Sequence, residues 1–294
     1  MKKVLLIVAA FCLFILSFNN VGFGMFRRGK SSEQKYEIVK FNKNWEFAGF
    51  SKINTGEAHL YRCEKLEGRK NVIVAVLPGH GTKGGNKQKT LCHPDGSPKL
   101  TGGSTSEGEK FACAENDGMT HISGTPEPVM TLRVARFLKD RLLDDGYDVL
   151  MLRDGEDTQL DVVAKTVMSN NCADLMVSLH FTVGSGFTYD KGCFFISVPD
   201  GLKDKYPVKN NWKSIHILGN CLIEGLSEEG CEIFNEKGCR DVDLMQTAYS
   251  SIPNVCVELG NRYTDTSDEH FEKLASGVFR GIKKFTESSD FLKN

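Results

Sequence analysis

The sequence lacks a dominant charge. Its 37 basic residues stand against 38 acidic ones, a formal net charge of −1. A protein that grips nucleic acid through the phosphate backbone needs a strong positive field, so nucleic acid is excluded as a partner. No two cysteines have the Cys-x-x-Cys spacing, which argues against a structural zinc ribbon. There is no internal repeat, which excludes a solenoid. The long apolar run, Val4 to Phe18, is short for a membrane-spanning helix, which needs about 20 residues.

What is present begins with that run. Lys2 and Lys3 precede it, and a basic start followed by an apolar stretch is the pattern of a secretory signal. Gly22 and Gly24 are the nearest small residues for cleavage. Residues 1–24 are therefore expected to be a signal peptide or a retained N-terminal anchor. The protein is expected to be exported, to the periplasm or the extracellular space, with N-terminal or transient membrane association. Cys12 lacks the small neighbour of a lipoprotein box. Ten cysteines agree with export, because exported chains can keep disulfides. With Cys12 set aside the number is odd, so at least one thiol stays free or bonds another molecule. Cys193 and Cys256 fall in apolar runs and read as small buried hydrophobes.

Residues 25–70 read as a polar linker followed by an N-terminal extension with some β structure. From residue 72 strands and helices alternate. Val72–Leu77, Asp148–Leu152, Leu175–Leu179, Cys193–Val198 and Val255–Leu259 are apolar runs of the kind a buried parallel strand requires. Between them lie helical stripes: Val129, Leu132, Ala135, Leu138 and Leu142; Leu160, Val163, Ala164, Val167 and Met168; Trp212, Ile215, Gly219, Leu222 and Leu226; Phe271, Leu274, Ala275, Val278, Ile282 and Phe285. This alternation predicts an α/β fold, a single mostly parallel sheet flanked by helices on both faces. One catalytic domain is expected over residues 71–288. Residues 82–126 break the rhythm. They are rich in Gly, Ser, Thr, Lys and Glu without a period, and read as a long loop insertion that Cys92 and Cys113 can staple.

The candidate chemistry sits at strand ends. His80 lies between Gly79 and Gly81 after one strand, and His180 follows another. Glu127, between Pro126 and Pro128, heads the first helical stripe. Two imidazoles and one carboxylate make a catalytic zinc set with a fourth position left for water. Each residue also has an ordinary reading: a glycine turn, a structural histidine, an acid complementing a helix dipole. Glu107, Glu109 and Glu115 in the insertion are rival carboxylates, but they lack a rigid element to hold them, and a ligand needs a fixed frame; His93 and His121 lie there too. Glu258 ends an apolar strand, where a carboxylate is costly to bury unless paired or coordinated. It fits a general base, or else an exposed acid at a strand terminus.

Five segments occur together in one order. They are Val74–Gly81, Glu127 leading into Thr131–Ala135, Gly146–Asp154, Ala173–His180 and Pro253–Asn261. In these the chain resembles the zinc-dependent N-acetylmuramoyl-L-alanine amidases of the amidase 3 family, over roughly residues 72–286. The resemblance implies that His80, Glu127 and His180 bind one zinc ion per chain and that Glu258 is the catalytic glutamate. It implies peptidoglycan as substrate, cut at the amide between N-acetylmuramic acid and L-alanine. Three departures stand out. The segment between the first histidine and the glutamate is usually far shorter, so Glu127 is assigned by the helix after it. Thr182 stands where an asparagine is usual, and Lys165 where the family tends to carry arginine. The insertion reads as an element that recognises a particular wall or gates the site. Two other functions fit the same residues: a zinc peptidase acting on other peptides, and a non-enzymatic wall-binding protein. No activator is identifiable in the sequence.

Overall fold

Runs of β-branched and apolar residues lose little by extending side by side, and here they build one sheet. The structure, a computed structural model, describes residues 34–65, 67–183, 192–289 and 291. The expected signal or anchor segment, with Cys12, and the loop from Gly184 onward lie outside the described residues. The elements run β1 (Glu37–Lys40), β2 (Glu57–Tyr61), β3 (Ile73–Pro78), β4 (Lys89–Leu91), β5 (Phe111–Cys113), α1 (Glu127–Asp145), β6 (Asp148–Met151) and α2 (Val162–Cys172). They continue with β7 (Leu175–Thr182), β8 (Phe194–Ser197), α3 (Asp200–Lys203), α4 (Trp212–Glu228), β9 (Cys239–Asp241), α5 (Met245–Ala248), β10 (Asn254–Asn261) and α6 (Asp268–Thr286).

The main sheet has the order β1-β2-β6-β3-β7-β10-β8-β9. The pairs β6–β3, β3–β7, β7–β10 and β8–β9 are parallel. The pairs β1–β2, β2–β6 and β10–β8 are antiparallel. The mostly parallel α/β sheet is thus as expected. Val74, Val76, Val177, Leu179, Val255 and Val257 face a core shared with α1, α4 and α6. Ala75, Leu77, Leu150, Leu152 and Met176 face the other way, against Leu160, Ala164 and Met168. Helices therefore cover both faces, and the central strands are buried on both, which is why they read as unbroken apolar runs.

Several elements differ from the sequence-based expectation. The β structure expected before residue 70 is present as β1 and β2, but it joins the main sheet, because β2 pairs with β6 and β1 with β2. His180 does not follow its strand but lies inside it, since β7 runs on to Thr182. The insertion is not structureless. β4 and β5 pair antiparallel, Ala114 accepts a hydrogen bond from Val162 N, and His121 Nε2 contacts Thr264 O. Cys92 and Cys113 carry free thiols, so that ladder, and not a disulfide between them, closes the loop. His93 is buried between Ser97 Oγ at 2.7 Å and Asp243 at 2.9 Å, and Asp243 also accepts from Leu100 N.

Local chemistry places the helix ends. Asp161 caps α2 by accepting from Ala164 N at 2.8 Å, and Gly146 ends α1 in the left-handed conformation at φ 103°. α4 and α6 cross closely. A Cβ on Gly281 would stand 2.4 Å from Leu222 Cα, and one on Gly225 would stand 2.3 Å from Gly277 O. Alanine is ordinarily better than glycine inside a helix by about 1 kcal/mol. At this crossing backbone atoms are the obstacle, so overpacking decides the sign. Gly281→Ala is expected to lower stability by about 1–3 kcal/mol. Urea unfolding followed by circular dichroism checks this, and a stabilised variant would contradict the crossing.

Candidate metal centre

The parallel register brings the strand ends to one rim. Pro78, the last residue of β3, pairs with Leu179, one position before His180. Two residues beyond Pro78 comes His80, which adopts the left-handed conformation at φ 66°. That conformation is uncommon for a residue with a side chain. α1 starts at Glu127, and the backbone N–H of Glu127 donates to Met119 O at 2.9 Å.

These three side chains meet. His80 Nε2 lies 3.0 Å from Glu127 Oε1, His180 Nδ1 lies 3.1 Å from the same oxygen, and the two nitrogens are 3.2 Å apart. The other polar atom of each side chain is tied down. His80 Nδ1 is 3.0 Å from Asn116 O, which can only accept, so this nitrogen donates. His180 Nε2 is 2.8 Å from Ser178 Oγ, and Glu127 Oε2 accepts from Met119 N at 2.8 Å. Glu127 Oε1 also accepts from Phe181 N at 3.0 Å. With the Nε2 proton of His180 directed at Ser178, three lone pairs face one another. Such an arrangement is repulsive unless a cation lies between them. A tetrahedral ion with bonds of about 2.0–2.1 Å sets its ligand atoms roughly 3.3 Å apart. The observed spacings are close to that, and anchored outer atoms are the usual support of a metal ligand.

Burial and charge act together here. His80 and Glu127 are buried, and His180 is largely so. Without a cation between them, protons on the facing imidazole nitrogens take its place: burial opposes the charge on Glu127, yet hydrogen bonds from His180 and His80 in that state outweigh it and hold the carboxyl well below its usual range. Burial also works against a charge on His80, but Glu127 prevails and its pKa rises. For His180 burial wins and the pKa falls. Glu258 stands directly beside His180 in the β10–β7 ladder, and adjacent parallel strands lie about 4.8 Å apart. Two residues earlier Cys256 is buried, its thiol pushed far up by burial and then by the Glu258 and Glu127 carboxylates. His93, His121, Glu107 and Glu109 stay apart from the triad; among the described residues it is the one His/Cys/Asp/Glu group close enough to hold a metal ion.

Sequence reasoning passed over Arg153 and misjudged Glu115. Arg153 is fully buried and donates to Pro78 O, Gly79 O, Pro128 O and Gly155 O. It thereby joins the turn holding His80 to the first turn of α1. Burial lowers its pKa to about 10, so it remains charged at neutral pH. Its signal in the sequence was a charged residue placed directly after an apolar strand. Glu115 is not without a frame: it is buried and pairs with Lys165 at 2.6 Å. Lys165 is itself wholly buried, and burial pulls its pKa down against the pull of Glu115.

With the geometry established, comparison with known proteins decides the family. The N-acetylmuramoyl-L-alanine amidase family, Amidase_3, matches residues 74–284. The chain belongs to this family. Its activity is that of the family, hydrolysis of the amide between N-acetylmuramic acid and L-alanine in peptidoglycan. The fold is similar to that of the amidase Ami1 from Mycobacterium smegmatis, at 18% identity and a TM-score of 0.61, covering 73% of this chain and 96% of that one. It is equally similar to apo Ami1 from Mycobacterium abscessus, at 20% identity and a TM-score of 0.61, covering 74% and 99%. The CwlD amidase from Clostridioides difficile, solved in complex with the GerS lipoprotein, matches at 17% identity and a TM-score of 0.52, covering 73% and 98%. No curated protein matches the sequence.

A Cβ on Gly79 would lie 2.3 Å from His180 Cε1, so this amidase needs glycine there to admit the imidazole. Gly79→Ala is expected to weaken metal binding by about 10–100-fold, the scale seen when a ligand's support is disturbed. Metal content after gel filtration, beside an unchanged circular dichroism spectrum, checks it. Full metal content would contradict the packing.

Proposed function

We propose that this amidase works with one zinc ion held by His80, Glu127 and His180, and with Glu258 as its general base. The observation that carries this reading is the convergence of His80 Nε2, His180 Nδ1 and Glu127 Oε1 within 3.2 Å, each side chain fixed from behind. Imidazole and carboxylate donors without thiolate suit zinc in a catalytic site with an open position. A zinc ion there supplies Lewis acidity, polarising a carbonyl oxygen and making water more acidic.

The chain's own residues do the remainder. Glu127 brings one negative charge to the metal, which leaves the site net positive and favours an oxyanion. Glu258, beside His180 on the neighbouring strand, accepts the proton of the attacking water at its carboxylate. As the carbon–nitrogen bond breaks, the same carboxyl passes that proton to the amine of L-alanine. The carboxylate is thereby restored: one proton of the water ends on the amine, and its hydroxyl ends on the new carboxyl group of the muramic acid. Rigid strands and a helix terminus hold these groups, so little reorganisation is required.

Peptidoglycan lies outside the cytoplasm, which agrees with the basic and apolar N-terminal residues Lys2, Lys3 and Val4–Phe18 as an export signal or anchor. No described helix is long and apolar enough to cross a membrane. The partner is thus peptidoglycan, joined by a membrane where the N-terminal segment is retained as an anchor.

Glu258→Gln is expected to keep its zinc and lose about 10²–10⁴-fold in turnover of purified wall fragments. His180→Ala is expected to lose both zinc and turnover. Mass spectrometry of the products separates free stem peptides beginning with L-alanine from other cleavage. A Glu258→Gln enzyme of normal rate would reject the base assignment, and cleavage elsewhere in the stem peptide would reject the substrate bond.

A further inference from the structure

The insertion contributes to the metal centre itself. Residues 115–119 lie against it: Asn116 O accepts a hydrogen bond from His80 Nδ1, and Met119 N donates to Glu127 Oε2. A Cβ on Gly118 would lie 2.6 Å from His80 Cδ2, so the insertion reaches the imidazole at contact distance. Behind them lies a buried ion pair. Lys165 Nζ on α2 donates to Glu115 Oε2 at 2.6 Å and to His80 O at 3.1 Å. Glu115 Oε1 stands 3.9 Å from His80 Nδ1. Neither Glu115 nor Lys165 is in the three-residue metal group, and both are almost fully buried.

We propose that the Glu115–Lys165 pair is a positioning device for His80, holding its main chain left-handed so that Nε2 points at the metal. The left-handed conformation at φ 66° is strained for histidine, and such strain persists only where surroundings enforce it. The enforcing contact is the Lys165 ammonium on the His80 carbonyl. Glu115 aims that Nζ, because Lys165 Nζ donates to Glu115 Oε2 at 2.6 Å as well as to the His80 carbonyl. An insertion residue and a helix residue thus act on one backbone carbonyl. Lys165 touches neither water nor substrate in this role, and acts through His80. The idea rests on the metal reading above.

The test compares wild type with Glu115→Gln, Lys165→Met and the double variant, which leaves no unpaired buried charge and therefore folds. Zinc affinity is measured by chelator competition, and the Cα and carbonyl chemical shifts of His80 are read by NMR in the metal-free protein. Each variant is expected to bind zinc about 10–100-fold more weakly. In Lys165→Met and the double variant the His80 shifts should leave the left-handed range, with circular dichroism unchanged. Wild-type zinc affinity and unmoved His80 shifts in the double variant would overturn the proposal while leaving the metal site standing. Failure of wild type to bind zinc, or zinc binding that survives His180→Ala, would instead overturn the metal reading, and this inference with it.

Discussion

Lone pairs crowded together in a dry site repel, and a folded chain tolerates them only if their positions are imposed. Here three ligand atoms lie within 3.2 Å of one another, and every one of the three side chains is fixed at its far end. The anchors are mixed. Asn116 O and Met119 N are main chain from the insertion, while Ser178 Oγ comes from the same strand as His180. A site that depends on so many separate segments cannot form until the sheet, α1 and the insertion are all in place. The arrangement fits one cation, and the rest of the fold holds its three side chains in place.

The parallel core makes that possible. Parallel strands end together, and open α/β sheets collect their ligands at that edge. β3 delivers the turn with His80, β7 delivers His180, and β10 delivers Glu258 in register with His180. α1 packs over the same strands and points its first residue, Glu127, at the gap. Solved amidases below 25% identity share this fold, so the frame survives extensive change in its side chains.

Two buried cations reinforce the rim from below. Arg153 satisfies its guanidinium on four main-chain carbonyls and Lys165 on one carbonyl and one carboxylate. A buried charge left without partners is costly, so each forces nearby backbone to turn its oxygens inward. The turn at Gly79 and His80 is gripped by both. Charge burial at this spot thus imposes a backbone shape on the turn that carries the first histidine.

The strands and helices of the core were legible because burial on two faces or one leaves a period in the chain, as in Val74–Leu77 or the stripe from Phe271 to Phe285. The two histidines and Glu127 could be picked out by their places at the ends of such runs. Other features leave no period. β1 and β2 are short and mixed, and only pairing with β6 makes them part of the sheet. α2 reads as a helix with one apolar stripe, yet Lys165, Thr166 and Ser169 are buried as well, because distant chain covers its remaining surface. Glu115 looked unframed because its frame, Lys165, stands fifty positions along the chain. Local pattern, then, determined the elements, their order and the kinds of donor available. Which carboxylate meets the histidines, and which one braces them from behind, was decided by the tertiary structure, since only folding brings residues so far apart in sequence within hydrogen-bonding reach.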